Sequence, residues 1–250
     1  MSMPQEEAVD AATTSAVGCG TILRMTVEIH DDAEALARAA AELVLREMRG
    51  GRRHLLLAGG TTPSKTYEIV GREASPADYK GVHIFFGDER AVPPDHIESN
   101  YRMVRRAWLE PASFPPERVH RIRGEIDPER AARLAEEDLR GVTGEPVGLD
   151  LALLGLGTDG HTASLFPGSK ALGESLRLYV PAREGRRITG TYPLLNTVDR
   201  VIFLVSGLTK AEAVRSALHD APGTVPASLV QPRGGPATWL LDREAASMLD

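Results

Sequence analysis

The sequence predicts a doubly wound α/β fold of the Rossmann-like type, with a mostly parallel sheet and helices on both faces. Short apolar runs such as residues 54–60 (HLLLAGG) and 149–154 (LDLALL) alternate with amphipathic stretches along the chain, and this alternation is typical of a parallel sheet. Hydrophobic residues make up 42% of the 250 residues, which is enough for a sizeable core. Ligands of such sheets bind at the carboxyl ends of the strands.

The predicted strands are short apolar runs bounded by polar or glycine-rich turns. They lie at 26–29, 54–60, 82–86, 149–154, 178–180, 187–191 and 201–205, with a last strand from residue 237. The predicted helices show helical apolar spacing or begin at a capping residue. They lie at 31–50, 62 onward, 99–110, 127–140 and 209–218, with a last helix near the end of the chain. Residues 87–98 are predicted to form a long polar loop.

Composition and charge exclude several classes of protein. The single cysteine, Cys19, excludes an internal disulfide, and a net charge of −6 argues against a nucleic-acid-binding surface. No apolar run approaches the roughly 18 residues of a membrane span. We therefore expect a cytoplasmic protein, a monomer or weak homo-oligomer, that binds a small molecule. Residues 1–24 are predicted to be a disordered leader, and residues 25–250 a single α/β domain.

The first candidate loop, AGGTTP at 58–63, follows a predicted strand. Gly59 and Gly60 allow a ligand to approach the backbone, and Thr61 and Thr62 offer hydroxyls, while the next helix directs free N–H groups at the same place. These features predict a small phosphate site. The loop lacks the lysine of a nucleotide P-loop, so ATP is not indicated. The alternative is an ordinary strand-to-helix turn in which Thr62 is the N-cap.

The second candidate loop, FFGDERAVPPDHIESNY at 85–101, places three charged residues directly after a buried strand. Arg90 could bind a phosphate or carboxylate with both arms of its guanidinium, and Asp88 or Glu89 could orient it or bind sugar hydroxyls. The alternative is a solvated run of charge. The position at the carboxyl end of a strand favours the ligand site.

The third candidate loop, GLGTDGHTASLF at 155–166, has the glycine spacing of a dinucleotide-binding turn. The acidic residue that such a site needs at the end of the next strand is missing, because Glu174 precedes that strand. His161 follows Asp159 by two residues, which suits a general base beside a carboxylate, although a lone histidine is more often structural. We expect no nicotinamide or other cofactor.

Two further chemistries find little support in the third loop. Ser164 lacks the Gly-x-Ser-x-Gly turn that exposes a serine nucleophile. His161 has no second histidine at three to five residues' spacing and no cysteine nearby, so no metal site is predicted.

Taken in order, AGGTTP, FFGDERAVPPDHIESNY and GLGTDGHTASLFPGS resemble the motifs of the 6-phosphogluconolactonases, in the glucosamine-6-phosphate isomerase/6-phosphogluconolactonase family. The resemblance spans roughly residues 27–243 and includes VSGLTKA at 205–211. It implies a Rossmann-like hydrolase of the pentose phosphate pathway that converts 6-phospho-D-glucono-1,5-lactone to 6-phospho-D-gluconate without a cofactor.

The same resemblance implies roles for individual residues. His161 is expected to activate water as a general base, and Asp159 to orient it. The expected contacts to the substrate are Gly59, Gly60, Thr61, Thr62, Asp88, Arg90, Arg187 and Lys210. Which basic residue meets the phosphate, and which the carboxylate end of the product, stays open. The chain departs from the family at Ala58 and Thr61, where serines are common, and at Gly190, where leucine is commoner.

Two alternatives differ from the lactonase. A glucosamine-6-phosphate deaminase would continue from the histidine as Ile-Ala-Phe-Asn-Glu-Pro, whereas this chain has Thr162 to Pro167 (TASLFP), and it would have tyrosine in place of Arg90. A sugar-phosphate sensor that has lost catalysis would usually carry a DNA-binding segment. Residues 1–24 are too short and too acidic for one, and the sensor leaves His161 without a role.

Overall fold

The computed structural model describes residues 26–249, so the predicted leader and Cys19 lie outside the described residues. The strands are β1 (Thr26–His30), β2 (His54–Leu57), β3 (His83–Phe86), β4 (Asp88–Arg90), β5 (Val119–His120), β6 (Leu149–Leu154), β7 (Tyr179–Ala182), β8 (Arg187–Gly190), β9 (Val198–Val205) and β10 (Thr238–Asp242). The α-helices are α1 (Ala33–Arg49), α2 (Thr61–Glu73), α3 (Asn100–Val104), α4 (Pro128–Thr143), α5 (Tyr192–Leu195) and α6 (Ala211–His219).

The main sheet has seven strands in the order β1-β10-β9-β6-β2-β3-β5, and neighbouring strands pair in parallel. Strands β2, β6 and β9 lie in its interior. Their near-continuous apolar sequences suit burial on both faces, and residues 151–154 are fully buried. Helices pack around the sheet, and the predicted α/β fold class is confirmed. Because the strands are parallel, their carboxyl ends meet at one edge.

A second, smaller sheet was not predicted. It has the order β4-β8-β7 and is antiparallel, with Asp88 opposite Thr189 and Arg90 opposite Arg187. The predicted polar loop at 87–98 therefore contains a strand, and the two strands predicted near 178–191 form a hairpin outside the parallel sheet. The charged sequence Asp-Glu-Arg has no apolar alternation, so its pairing depends on a partner about 100 residues away in the chain.

The N-terminus of α2 also differs from the prediction. The helix begins at Thr61, and its N-cap is Gly60, with φ of 114° and no side-chain cap. The predicted N-cap role of Thr62 is therefore wrong. Glycine takes the left-handed backbone of this turn at no steric cost, and the glycine cap leaves both threonine hydroxyls free of capping.

The remaining helices follow the predictions with four differences, the first being the short helix α5, which was not predicted. Helix α3 is capped by Ser99 as predicted, but it continues as a π-helical turn at Arg105–Leu109. Residues Leu208–Lys210 form a 3-10 turn before α6. The predicted last helix is wrong, because residues 243–248 form successive turns after β10. Among the helices of residues 26–249, none has the length and apolar character needed to cross a membrane.

Candidate active site

A cleft of about 210 Å³ lies at the carboxyl ends of β2, β6 and β9 and beside β4. It brings together the three predicted loops and the turn after β9. The predicted site residues that line it are Gly59, Gly60, Thr61, Thr62, Asp88, Arg90, His161 and Lys210. Within residues 26–249, no three side chains of the metal-ligating types converge as a metal site requires.

The backbone of the first loop forms one wall of the cleft. Helix α2 has 13 residues, and the first N–H groups of a helix have no partner within the helix, so they and its positive dipole end are available to an anion. Gly59 allows close packing here, because a Cβ at this position would lie 1.8 Å from Asn100 Oδ1. The wall therefore presents backbone donors and hydroxyls, as a phosphate site requires.

Arg90 lines the cleft, and the neighbouring Arg187, which was also predicted to contact the substrate, is not among the lining residues. Arg90 and Arg187 are partners in the β4–β8 pairing. Burial lowers the pKa of Arg187, and the positive charge of Arg90 lowers it further. Arg90 donates from Nη1 to the Glu98 carbonyl, while its buried Nε has no hydrogen-bond partner within the described chain. Two neighbouring cations that are partly removed from water favour a bound anion.

Lys210 reaches the cleft from the turn after β9. Burial lowers its pKa, and the negative charge of Asp159 opposes that effect, so the ammonium lies within electrostatic reach of the third loop. The turn is held by Asp242, a buried carboxylate at the end of β10. It accepts hydrogen bonds from Ser206 Oγ at 2.5 Å and from the Gly207 N–H at 3.0 Å.

His161 and Asp159 form a hydrogen-bonded pair at the cleft. His161 Nδ1 lies 2.5 Å from Asp159 Oδ1, and the imidazole packs against the Phe166 ring at a centroid distance of 4.3 Å. Burial would raise the pKa of Asp159, but its hydrogen bonds to His161 and the charge of that residue outweigh burial and lower it. An ionised carboxylate at Nδ1 favours the tautomer whose Nε2 is free to accept a proton.

Gly157 makes the approach of this pair possible. A Cβ on Gly157 would lie 1.9 Å from His161 Nδ1 and 2.6 Å from Asp159 Oδ1. The Gly157 N–H also donates to the His161 carbonyl at 2.7 Å, which closes the turn. The glycine that suggested a dinucleotide loop in the sequence thus gives room to an imidazole and a carboxylate.

Asp88 and Glu89 of the second loop are already engaged by protein groups. Asp88 Oδ2 accepts from Ser164 Oγ at 2.5 Å, and Oδ1 accepts from Asn100 Nδ2 at 3.0 Å. Glu89 accepts from the backbone N–H groups of Arg90, Asn100 and Tyr101 at 2.7 to 2.8 Å. Burial raises the pKa of Glu89, and these backbone donors oppose the rise. Glu89 therefore fixes β4 to the start of α3.

The sequence interpretation missed several residues of this region. Asn100 and Ser206 line the cleft, and Asp242 and Ser164 hold neighbouring turns. Asn100 was seen as a helix start, and the one signal for a further role was its place inside the second motif. Nothing local in the sequence marks Asp242, because its partners lie 35 and 36 residues away in the chain.

Comparisons with known proteins show the family of this chain. A model of the family described as glucosamine-6-phosphate isomerases/6-phosphogluconolactonase matches residues 31–239. A curated 6-phosphogluconolactonase from Nostoc sp. is 37% identical over 91% of this chain and 99% of its own length. One from Rattus norvegicus is 36% identical over 89% of this chain and 93% of its own length.

Solved structures give the same result. The 6-phosphogluconolactonase of Trypanosoma cruzi superposes with a TM-score of 0.79 at 26% identity, covering 93% of this chain and 99% of its own. A monomeric glucosamine-6-phosphate deaminase superposes with a TM-score of 0.74 at 25% identity, covering 90% of this chain and all of its own. This chain belongs to the glucosamine-6-phosphate isomerase/6-phosphogluconolactonase family. The predicted family and the predicted class of enzyme, a lactone-hydrolysing esterase, are confirmed.

Proposed function

We propose that this chain hydrolyses 6-phospho-D-glucono-1,5-lactone to 6-phospho-D-gluconate, in the oxidative pentose phosphate pathway, by attack of a water that His161 activates. The observation that carries the proposal is the hydrogen bond of 2.5 Å between His161 Nδ1 and Asp159 at a cleft that also presents a helix N-terminus and basic side chains. The relatives known as 6-phosphogluconolactonases support the choice of substrate.

In this proposal the phosphate binds at the N-terminus of α2. The N–H groups and hydroxyls of Thr61 and Thr62 donate to it, Gly59 and Gly60 let it approach the backbone, and the Arg90 guanidinium supplies charge. Arg187, beside Arg90, adds a second cation at the same end. The lactone ring then extends toward the third loop, which places its carbonyl near His161 and Lys210.

The chemical step needs one base and one acid, and His161 supplies both. Its Nε2 takes a proton from water as the water oxygen bonds to C1 of the lactone, and the carbonyl electrons move to the oxygen. Collapse of the tetrahedral intermediate breaks the bond between C1 and the ring oxygen. The imidazolium then returns its proton to that ring oxygen, and the new carboxylic acid ionises in water.

Charge in the cleft stabilises the intermediates of this step. The ionised Asp159 favours the imidazolium that forms after proton transfer, and it keeps Nδ1 as the donor. The Lys210 ammonium, within reach of Asp159, offsets the negative charge that develops on the carbonyl oxygen. A lactone is an activated ester, so these groups suffice without a covalent intermediate.

The test is acid release from freshly prepared 6-phospho-D-glucono-1,5-lactone in a pH-stat, with wild type, His161→Ala and no enzyme. The lactone also opens spontaneously, so the blank defines the baseline. We expect a fast wild type and a loss in kcat of about 10²- to 10⁴-fold in His161→Ala, the usual contribution of general acid–base catalysis. A wild-type rate equal to the blank would overturn the proposal.

The deaminase in the same family gives the second arm of this test. The wild type is incubated with glucosamine-6-phosphate, and ammonia release is measured. We expect none above the blank, because the residues after His161 differ from those of the deaminases. Ammonia release without acid release from the lactone would replace the lactonase by the deaminase.

A further inference from the structure

A network of buried hydrogen bonds joins the three loops in the wall of the cleft. Asn100, which packs on Gly59 of the first loop, donates from Nδ2 to the carbonyl and to Oδ1 of Asp88 at 2.9 and 3.0 Å. Asp88 Oδ2 accepts from Ser164 Oγ at 2.5 Å. Asp88, Asn100 and Ser164 are 7%, 2% and 1% exposed. These hydrogen bonds thus connect the phosphate loop to the loop of His161.

Ser164 is held on two sides. Its hydroxyl donates to Asp88, and its backbone N–H donates to Thr189 Oγ1 of β8 at 3.0 Å. Both partners belong to the small antiparallel sheet, which also carries Arg90. The position of Ser164 is therefore defined relative to the same sheet that supplies the basic side chains.

The backbone between His161 and Ser164 is strained. Ala163 has a φ of 48°, a left-handed conformation that costs a residue with a Cβ about 1 kcal/mol or more. Such a conformation persists where the neighbours on both sides are fixed. Thr162 is fixed by the hydrogen bond from its Oγ1 to the Gly155 carbonyl at 2.9 Å, and Ser164 by the bonds just described.

We propose that Ser164 and Asp88 are positioning residues for the hydrolysis: their buried hydrogen bond holds the His161 turn in register with the phosphate loop. This inference rests on the proposed function. It assigns the carboxylate of Asp88, which is engaged by Ser164 and Asn100, a positioning role in place of the sugar contact that the sequence suggested. It also explains a buried serine, close to His161, that has no access to substrate.

A positioning role of Asp88 depends on its two side-chain hydrogen bonds and does not require its negative charge. An asparagine in its place can accept from Asn100 Nδ2 with its Oδ1 and donate from its own Nδ2 to Ser164 Oγ, because a serine hydroxyl both donates and accepts. Asp88→Asn can therefore keep both side-chain links, whereas Asp88→Ala removes both and leaves only the bond from Asn100 to the backbone carbonyl of residue 88. A group that bound substrate or moved a proton through its charge would lose its function in either variant.

The experiment measures kcat and KM for the lactone with full-length Ser164→Ala, Ser164→Cys, Asp88→Asn, Asp88→Ala and the double variant Ser164→Ala/Asp88→Ala. We expect kcat of Ser164→Ala to fall by about 10- to 100-fold, because a small displacement of a catalytic group has this effect. The KM should change by less than about threefold, since contacts to the phosphate remain. Ser164→Cys and Asp88→Asn should each retain more kcat than the matching alanine variant.

The double variant tests the link between the two residues. If the two residues act through one hydrogen bond, the kcat of the double variant should be no lower than the kcat of the less active single alanine variant. The matched control is Ser216→Ala, which removes another buried serine hydroxyl, in α6 and outside the cleft. It should keep the wild-type kcat. Thermal melting of each variant reports folding, and if Ser164→Ala does not fold, Ser164→Cys and the two Asp88 variants decide the question.

The outcomes separate this inference from the function on which it rests. A wild-type rate equal to the spontaneous rate would overturn both. With an active wild type, a normal kcat in folded Ser164→Ala, additive losses in the double variant, or equal losses in Asp88→Asn and Asp88→Ala would overturn the positioning role alone. A KM that rises while kcat stays normal would return Asp88 to a substrate contact.

Discussion

Two regions of this protein hold a histidine hydrogen-bonded to an aspartate, and their surroundings differ. In the cleft, His161 Nδ1 lies 2.5 Å from Asp159 Oδ1. At the edge of the main sheet, His120 of β5 has its Nδ1 2.9 Å from Asp138 Oδ2 of α4. By the distance between imidazole and carboxylate alone, both pairs could be taken for a base and its orienting group.

The second nitrogen of each ring separates the two regions. His120 Nε2 lies 2.9 Å from His83 Nδ1, and its ring stacks on Phe85 at a centroid distance of 4.5 Å. Both nitrogens of His120 are therefore engaged. His161 lines the cleft, and its Nδ1 is the nitrogen bonded to Asp159, which leaves Nε2 for a ligand.

The comparison shows that a histidine–aspartate hydrogen bond is a general way of satisfying an imidazole and does not by itself indicate catalysis. What favours catalysis at His161 is a second nitrogen without a hydrogen-bond partner among residues 26–249, together with a cleft whose backbone and basic side chains suit an anionic substrate. The edge histidines, in contrast, pack with each other and with an aromatic ring, as a structural cluster does.

The largest difference between the two regions should appear when each aspartate is replaced. We expect Asp159→Asn to lower kcat by about 10²- to 10⁴-fold, because the amide neither fixes the tautomer of His161 nor stabilises its imidazolium. Asp138→Asn should leave kcat within about twofold of the wild type. The measurement is steady-state lactone hydrolysis by both variants. Comparable losses of kcat in Asp159→Asn and Asp138→Asn would contradict the assignment of a catalytic role to the cleft pair alone.

A second contrast uses two glycines. Gly157→Ala places a Cβ where His161 Nδ1 and Asp159 Oδ1 now lie, so the imidazole must move, and we expect kcat to fall by about 10²-fold. Gly141 lies in α4, and a Cβ there would meet no atom of the described part of the chain within 4 Å. Gly141→Ala should keep the wild-type kcat and stabilise the protein by about 0.5–1 kcal/mol.

Both glycine variants are followed by kcat and by thermal melting. The contrast requires that Gly157→Ala remain folded at the assay temperature while it loses activity. If folded Gly157→Ala hydrolysed the lactone at the wild-type rate, the close fit of Gly157 against the pair would have no bearing on catalysis.

Most of the main sheet could be predicted from the sequence because its longer strands carry their own signal, whereas the two-residue edge strand β5 was not predicted. The buried runs of β2, β3 and β6 are apolar on both faces and end at glycine-rich or polar turns. The small sheet carries no such signal, since β4 is Asp-Glu-Arg. Its register depends on a long-range bond, from the Gly190 N–H to the Gly87 carbonyl at 2.7 Å.

Gly190 illustrates what the sequence could not resolve. Its replacement of a commoner leucine made the local strand uncertain, yet it lies in β8. A Cβ at this position would lie 2.8 Å from Leu194 Cδ2 and 3.0 Å from the Gly87 carbonyl oxygen. The glycine therefore fits a close approach between the small sheet and its neighbours, which depends on the packed structure.

The residues that face the cleft were easier to predict than those that support it. Arg90, His161 and the glycines of the first loop lie in motifs directly after strands, where the topology of a parallel sheet places ligands. Asp88 lies in such a motif too, but its partner Ser164 is 76 residues away. Likewise, His120 and Asp138 are 18 positions apart in the sequence, so nothing local in the sequence indicates that they form a pair like the one in the cleft.

The smallest expected effect concerns stability at the edge of the sheet. Burial lowers the pKa of His83, and electrostatic interactions with His120, His54 and Arg118 lower it further, against Asp138, which raises it. As pH falls, the unfolded chain therefore binds this proton before the folded protein does, so the free energy of unfolding should decrease below about pH 6.5.

In His83→Asn the decrease in the free energy of unfolding between pH 7 and pH 5 should be shallower than in the wild type. Urea denaturation at several pH values measures it, with His219→Asn, at an exposed position in α6, as the control that keeps the wild-type slope. If the free energy of unfolding of His83→Asn fell with pH as steeply as that of the wild type, the edge histidines would not contribute to the acid sensitivity of the fold.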